Sequence, residues 1–373
     1  MLYITYNEPP SGIYFSQVTD VCRFLNSNFK VDVKLVAFIS LRNFLVNRNK
    51  IKNVFENSVI LPMFPGVNNW RWNIFLLLII SIFNNSKKII ARGPFACILS
   101  IWLKKAGLAK YVCFDARGAY SAEINEYDVY LSQKIKKEIN SLEKRAVLNS
   151  DFRISVSEKL VNYWNENFGY NISEHSVIPC TIMSDTTNDF FKEEELAAIR
   201  KSLGFNENDI VLVYSGSSAG WQSFNLLNEF FRNIMSDSIN VKVLFLSKSN
   251  LSFINEFNNR VVVKWLDEMD VHKIICCGDY GILLRENSIT NSVSAPVKFG
   301  EYLSSGLNVI ISDHIGDYSD FVRERNCGIV LSDIKKFVDI KKINYSEKIN
   351  NHKLAIDFFS KHKYLAEYKR IIV

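Results

Sequence analysis

Residues 210–215, 241–246, 260–265, 280–284, 309–312 and 328–331 are short, nearly continuous apolar runs separated by stretches of helical periodicity. Such runs are strands buried on both faces, as in parallel sheets; half-exposed strands would alternate apolar and polar positions. The first half reads the same way with weaker contrast. Strands are expected at 2–6, 31–38, 88–91, 111–115, 152–156 and 176–178, with helices at 14–26, 74–83, 95–106 and 131–149, and another from Glu158. Alternating strand and helix predicts an α/β chain of two doubly wound Rossmann-like domains, each offering ligands the carboxyl ends of its strands. The polar, acidic stretch DTTNDFFKEEE interrupts the pattern and puts the boundary after residue 181. The chemistry is expected in a cleft between the two domains.

Composition narrows the function. At 373 residues, 48% hydrophobic and 23% charged, the chain excludes extensive disorder. Its longest apolar run, 74–83 (IFLLLIISIF), is about half the length of a membrane span. The opening MLYITYNEPPSG has no basic-then-apolar leader, so a cytoplasmic location is expected. Seven Cys form no CxxC pair, and His175, His272, His314, His352 and His362 show no ligand spacing, so no metal site is expected. The pair Asp267 and Asp270 resembles a metal-binding DxD only superficially and is read as charging the first turn of a helix.

Charge is unevenly placed. Residues 1–180 hold 22 Lys and Arg against 14 Asp and Glu; the remainder holds 23 against 25. A basic first half calls for an anionic partner. The 74–83 run, flanked by Trp70-Arg71-Trp72 and Lys87-Lys88, is either a helix buried on the first sheet or an element on a membrane surface. Arg42, Arg48, Lys50 and Lys52 add to the basic character and fit a peripheral protein on the inner face of the cytoplasmic membrane. No helix-turn-helix, RNA-recognition signature or Arg-rich tail points to nucleic acid.

The most informative stretch is DYGILLRENSITNSVSAPVKFGEYLSSGLNVIISDHIGDYSD, residues 279–320. A buried strand ends at Arg285, a polar loop follows, and a helix is expected to start around Ser292 to Pro296, with Ser294 among its opening residues and Lys298 and Glu301 on one face. A strand, a polar loop and a helix N-terminus make an anion site, because unpaired N–H groups and the helix dipole face the ligand. Arg285 and Lys298 add positive charge for a phosphate, and Glu301 can accept hydrogen bonds from the diol of a ribose. Phosphate followed by ribose is the order of groups in a nucleotide.

The string Pro296-Val-Lys298-Phe-Gly-Glu301-Tyr302-Leu303-Ser-Ser-Gly306, followed by an apolar strand, resembles the donor-binding segment of glycosyltransferase family 4. The loop Tyr214-Ser-Gly216-Ser217-Ser218 is similar to that family's glycine loop under the donor diphosphate. In the first half, the Gly12 turn, Phe114-Asp115-Ala-Arg117-Gly118 and Ser176-Val-Ile-Pro179 fit the same family. The resemblance implies a GT-B fold whose C-terminal helix, from about residue 356, returns to the first domain, with 182–355 as the nucleotide-sugar domain. It implies Gly12, Gly216, Ser217, Arg285, Ser294, Lys298 and Glu301 at the donor, Arg285, Lys298 and Asp115 in catalysis, and Asp115 and Arg117 on the acceptor side. No metal or other cofactor is implied.

The chain departs from the family's pattern in three places. The usual Glu eight residues before Glu301 is Val293, the loop Arg is Ser217, and the following Lys is replaced near Trp221 and Gln222. Arg285 and Lys298 are expected to substitute for those cations. The implied activity is retaining sugar transfer from a nucleotide-diphosphate donor to a lipid-linked or oligosaccharide acceptor, in capsule or O-antigen synthesis. The alternatives are a GT-B nucleotide-sugar epimerase and a catalytically degenerate nucleotide- or glycan-binding subunit.

Overall fold

The computed structural model describes every residue except 85, 128–131, 188, 189, 217–221, 250, 267, 337 and 373. The chain forms two compact units, Met1–Thr181 with Lys361–Val373, and Ile182–Ser360.

The first unit is built on a seven-stranded parallel sheet: β1 (Leu2–Tyr6), β2 (Lys34–Ile39), β3 (Ser58–Pro62), β4 (Lys88–Arg92), β5 (Tyr111–Asp115), β6 (Phe152–Ser155) and β7 (His175–Val177). Its order is β3-β2-β1-β4-β5-β6-β7, so the direction of winding reverses between β1 and β4. Apolar side chains of β1, β2 and the first helical segment share one core with Tyr368 and Ile371 of the C-terminal helix. Lys361 ties that terminal segment down through a buried ion pair with Asp20, 2.5 Å apart. The chain re-enters the first unit at Lys361 rather than at residue 356, because Phe359 packs edge-on against Phe299 of the second unit, with ring centroids 5.5 Å apart.

The helix Phe44–Val54 and strand β3 are additions to the elements expected from sequence. That helix is rich in Asn and Lys and buries only Ile51, so it carries no apolar stripe to detect. β3 is an edge strand with a short apolar run that ends at Pro62, which an edge tolerates.

The second unit holds β8 (Ile210–Ser215), β9 (Val241–Leu246), β10 (Val261–Lys264), β11 (Tyr280–Leu283), β12 (Asn308–Ser312) and β13 (Gly328–Leu331), in the order β10-β9-β8-β11-β12-β13, all parallel. The six strands follow the apolar runs closely; β8, β9, β11 and β12 are buried on both faces as expected, whereas the edge strands β10 and β13 are only partly covered, with Val263 of β10 47% exposed. Aromatic rings fill this core: Phe231 stacks on Phe253 at 4.6 Å and Tyr214 on Phe245 at 5.1 Å. Each such buried side chain contributes roughly 1.5–3 kcal/mol of transfer free energy.

Candidate functional site

In the second unit the winding reverses between β8 and β11, which pair directly. An open α/β sheet binds ligands outside the carboxyl ends of its strands at such a reversal. β8 ends in Ser215 and is followed by Gly216; β11 leads through Leu284 into Arg285. Gly216 is held by its N–H donating to Leu246 O at 3.1 Å.

The helix Val297–Ser304 is pressed onto these strands by one aromatic residue. Tyr302 lies against β11 where a Cβ on Gly281 would sit 2.2 Å from the ring, so only glycine admits it. Its hydroxyl accepts from the Ser215 N–H at 3.0 Å. The helix is thereby registered over the ends of both strands, and Lys298 arrives beside Gly216. Lys298 Nζ donates to Gln222 Oε1 at 2.8 Å and stands 4.4 Å above the centroid of the Tyr214 ring. Loss of water around Nζ, together with nearby Arg285, pulls the Lys298 amine well below its ordinary pKa, with Glu301 opposing. Glu301 lies one turn further along the same face and is partly buried.

Arg285 is buried and clamped. Its N–H donates to Ser312 Oγ at 2.9 Å, and its carbonyl accepts from the same hydroxyl at 2.9 Å and pairs with His314 Nε2 at 3.0 Å. Its Nη1 donates to Asn291 Oδ1 at 3.2 Å. Asn291 is fully buried; it donates through Nδ2 to Glu286 O at 2.9 Å, and its own N–H is capped by Ser288 Oγ at 3.2 Å. Neither Asn291 nor Gln222 was among the expected site residues. The Ser288-x-x-Asn291 spacing is a helix-cap signal, whereas the sequence marked Gln222 only as lying near a replaced loop lysine.

The helix enters at the far end of the expected window from Ser292 to Pro296, with Pro296 at its N-cap. Ile289–Ser292 is a separate single turn, and the next helix begins at Val297 behind Pro296. Pro296 favours an extended Ala295, which ends the earlier turn. Ser294 therefore lies in the linker, its hydroxyl donating to Asn291 O at 2.9 Å. Gly316 closes over it: a Cβ there would meet Ser294 O at 1.9 Å. Ser217, Trp221 and Asp267 lie outside the described residues. Among the described residues no group of three or more His, Cys, Asp or Glu gathers to hold a metal ion.

In the first unit Thr5, Arg92 and Asp115 form one row across β1, β4 and β5 at the carboxyl edge. Asp115, expected as catalytic and facing an acceptor, is 0% exposed. Its Oδ1 lies 2.9 Å from Arg117 Nε, and its Oδ2 accepts from the Tyr3 hydroxyl and lies 3.7 Å from Arg92 Nη1. Arg92 Nε also donates to both Glu8 oxygens, at 2.8 and 2.9 Å. The carboxylate thus holds two guanidiniums in place. Gly12 opens the helical segment after β1, where Ser11 Oγ accepts from the Tyr14 N–H at 3.4 Å and Tyr14 OH pairs with Thr5 Oγ1 at 3.2 Å. Arg92, Glu8 and Tyr3 gave no motif in the sequence.

Neither a family model nor a curated protein matches the sequence. Solved structures match over the whole chain. HepE of Anabaena, solved with UDP, is 12% identical with a TM-score of 0.72, covering 100% of this chain and 98% of its own. A glycosyltransferase of Rickettsia africae is 14% identical with a TM-score of 0.67, covering 100% and 98%. WaaG, a glycosyltransferase involved in lipopolysaccharide biosynthesis, is 12% identical with a TM-score of 0.66, covering 100% and 99%. The chain has the fold of these proteins, the GT-B arrangement of two Rossmann-like α/β units.

Proposed function

We propose that this chain is a glycosyltransferase that takes a sugar from a nucleotide-diphosphate donor held by its second unit. The observation that carries the reading is the meeting of Gly216, Lys298 and Arg285 at the carboxyl ends of β8 and β11, with Glu301 one turn beyond. Bare backbone at Gly216 gives the diphosphate close approach. Lys298 and Arg285 neutralise its charge, and the Glu301 carboxylate takes the ribose hydroxyls. Gln222 stands near where family 4 members carry a lysine, and its bond to Lys298 supports the reading that Lys298 supplies the missing cation.

Transfer proceeds with retention in this reading. The acceptor hydroxyl attacks the anomeric carbon on the face the diphosphate leaves, the C–O bond to the phosphate breaks, and the departing phosphate oxygen takes the proton. The protein then needs no nucleophile. Its work is to stabilise charge building on the leaving group with groups already in place. Asp115 acts as a positioning residue, holding Arg117 and Arg92 at the carboxyl edge of the first unit, which takes the acceptor. An oligosaccharide or lipid-linked glycan acceptor in surface-polysaccharide synthesis fits this reading.

Incubating the protein with a set of nucleotide sugars and measuring released nucleoside diphosphate tests the proposal without knowledge of the acceptor. Slow release from one donor is expected. A free, epimerised nucleotide sugar would replace transfer by epimerisation, and nucleotide binding without turnover on any donor and acceptor would leave a binding subunit.

A further inference from the structure

Residues 41–88 run from the end of β2 around the edge strand β3 and back into β4. This excursion carries seven Lys or Arg and one acidic residue, Glu56, and so accounts for most of the first half's positive excess. It also carries nine of the seventeen large hydrophobic side chains that stand exposed among the described residues. Soluble surfaces scatter such side chains singly.

The helix Ile74–Asn84 shows the pattern most clearly. It packs on the helix Gly93–Lys105 and buries Leu77 and Ser81. Phe75, Ile79, Ile82 and Phe83, spaced i, i+4, i+7 and i+8, form its opposite face and are 57%, 53%, 63% and 84% exposed. No residue of this helix is charged. Trp72, 62% exposed, precedes it, and exposed Lys87 follows. Its eleven residues extend about 16 Å, half the hydrocarbon thickness of a bilayer, so the helix lies along an interface and cannot cross it.

We propose that this face docks the first unit on an anionic lipid bilayer. The apolar stripe enters the boundary between headgroups and acyl chains while the neighbouring Arg and Lys meet acidic headgroups. A second copy of the chain is a poorer occupant, because a two-fold interface would set this basic surface against itself. The surface is argued independently of the activity; joined to the transferase reading on which its purpose rests, it brings the enzyme to acceptors carried on lipid.

The full chain is sedimented with vesicles of phosphatidylcholine alone and with vesicles containing about one third phosphatidylglycerol, at low and high salt. Binding to the anionic vesicles, weakened by salt, is expected. Phe75→Ser with Ile79→Ser and Phe83→Ser should weaken partition at least about tenfold. Phe83→Ser alone, at a side chain too exposed to support the fold, should weaken it several-fold. Donor hydrolysis without vesicles should be unchanged in both variants. A wild-type protein that stays in the supernatant, or a stable dimer by light scattering that the apolar substitutions dissociate, overturns the proposal. Vesicle binding with no donor turnover would instead remove the transferase reading and leave this surface standing.

Discussion

A methyl group on Gly216 would lie 2.2 Å from Lys298 Nζ, so the lysine tip holds its place only while residue 216 has no side chain. Gly216→Ala should therefore push the ammonium off Gln222 without disturbing either strand. Because a displacement of about 1 Å at a reacting centre costs roughly 100-fold in rate, donor hydrolysis should fall by about that factor. Thermal unfolding should shift by no more than a few degrees. Wild-type hydrolysis in this variant would remove the loop from the donor site.

Lys298→Ala should lower turnover about 100- to 1,000-fold with the fold retained, as for the loss of one preorganised donor to a developing charge. Arg285→Ala should lose a similar factor and some stability as well, since its Nη1 bond to buried Asn291 is lost. Steady-state rates and melting curves on both variants separate the two effects. Full activity in both would dismiss this end of the sheet as the donor site.

Donor binding should raise the pKa of the Lys298 amine. Desolvation and Arg285 hold the Lys298 amine well below its ordinary pKa in the free protein. A diphosphate beside it favours the charged form and reverses that shift. Calorimetric titration of a nucleoside diphosphate over a range of pH, in buffers of different ionisation enthalpy, would show the rise as a buffer-dependent heat of proton uptake between the free and bound pKa values that Lys298→Ala abolishes. Equal heats in all buffers would contradict it.

Asp115→Asn separates a positioning role from substrate contact. The change leaves the buried Arg92 and Arg117 guanidiniums short of one negative partner. Breaking a buried pair in this way costs about 3–5 kcal/mol. For a unit of this size that lowers the melting temperature by roughly 10 °C. A protein that melts normally yet transfers no sugar would instead put the Asp115 carboxylate against the substrate.

Glu143 should make stability fall as pH rises. Burial pushes its carboxyl up to about 7, against the lowering effect of bonds from the N–H groups of Ser121 at 2.8 Å and Tyr120 at 3.1 Å. A folded carboxyl raised above its unfolded value binds more protons than the unfolded chain, so the penalty of about 3 kcal/mol accrues between roughly pH 4.5 and 7 and is complete above that. Urea unfolding from pH 5 to 8 should show a decline that Glu143→Gln flattens. An identical slope in the variant would contradict this.

The strands of the second unit were legible as apolar runs and lie where those runs fall; the central four are buried on both faces, which admits little else, while the partly covered edge strands β10 and β13 keep the apolar run without that burial. The helix carrying Lys298 and Glu301 was legible because both residues sit on one local string of residues. Its start was legible only as a window from Ser292 to Pro296, since serines and a proline all suit a helix entrance; the structure chooses Pro296 and leaves Ser294 in the linker under Gly316. β3 and the helix before it were missed because neither has enough buried side chains to leave a period.

What the chain by itself determined was whatever depends on neighbours in sequence: two rounds of alternating strand and helix, the basic first half, and the lysine and carboxylate a turn apart. What only tertiary structure decided were partnerships across long separations: Gln222 with Lys298, 76 residues apart, Glu8 with Arg92, 84 apart, and Tyr3 with Asp115, 112 apart. A polar side chain far along the chain leaves no periodic trace of where it will sit. Its partner is settled when the sheet closes and a buried charge must be matched by whatever hydrogen-bonding group lies within reach.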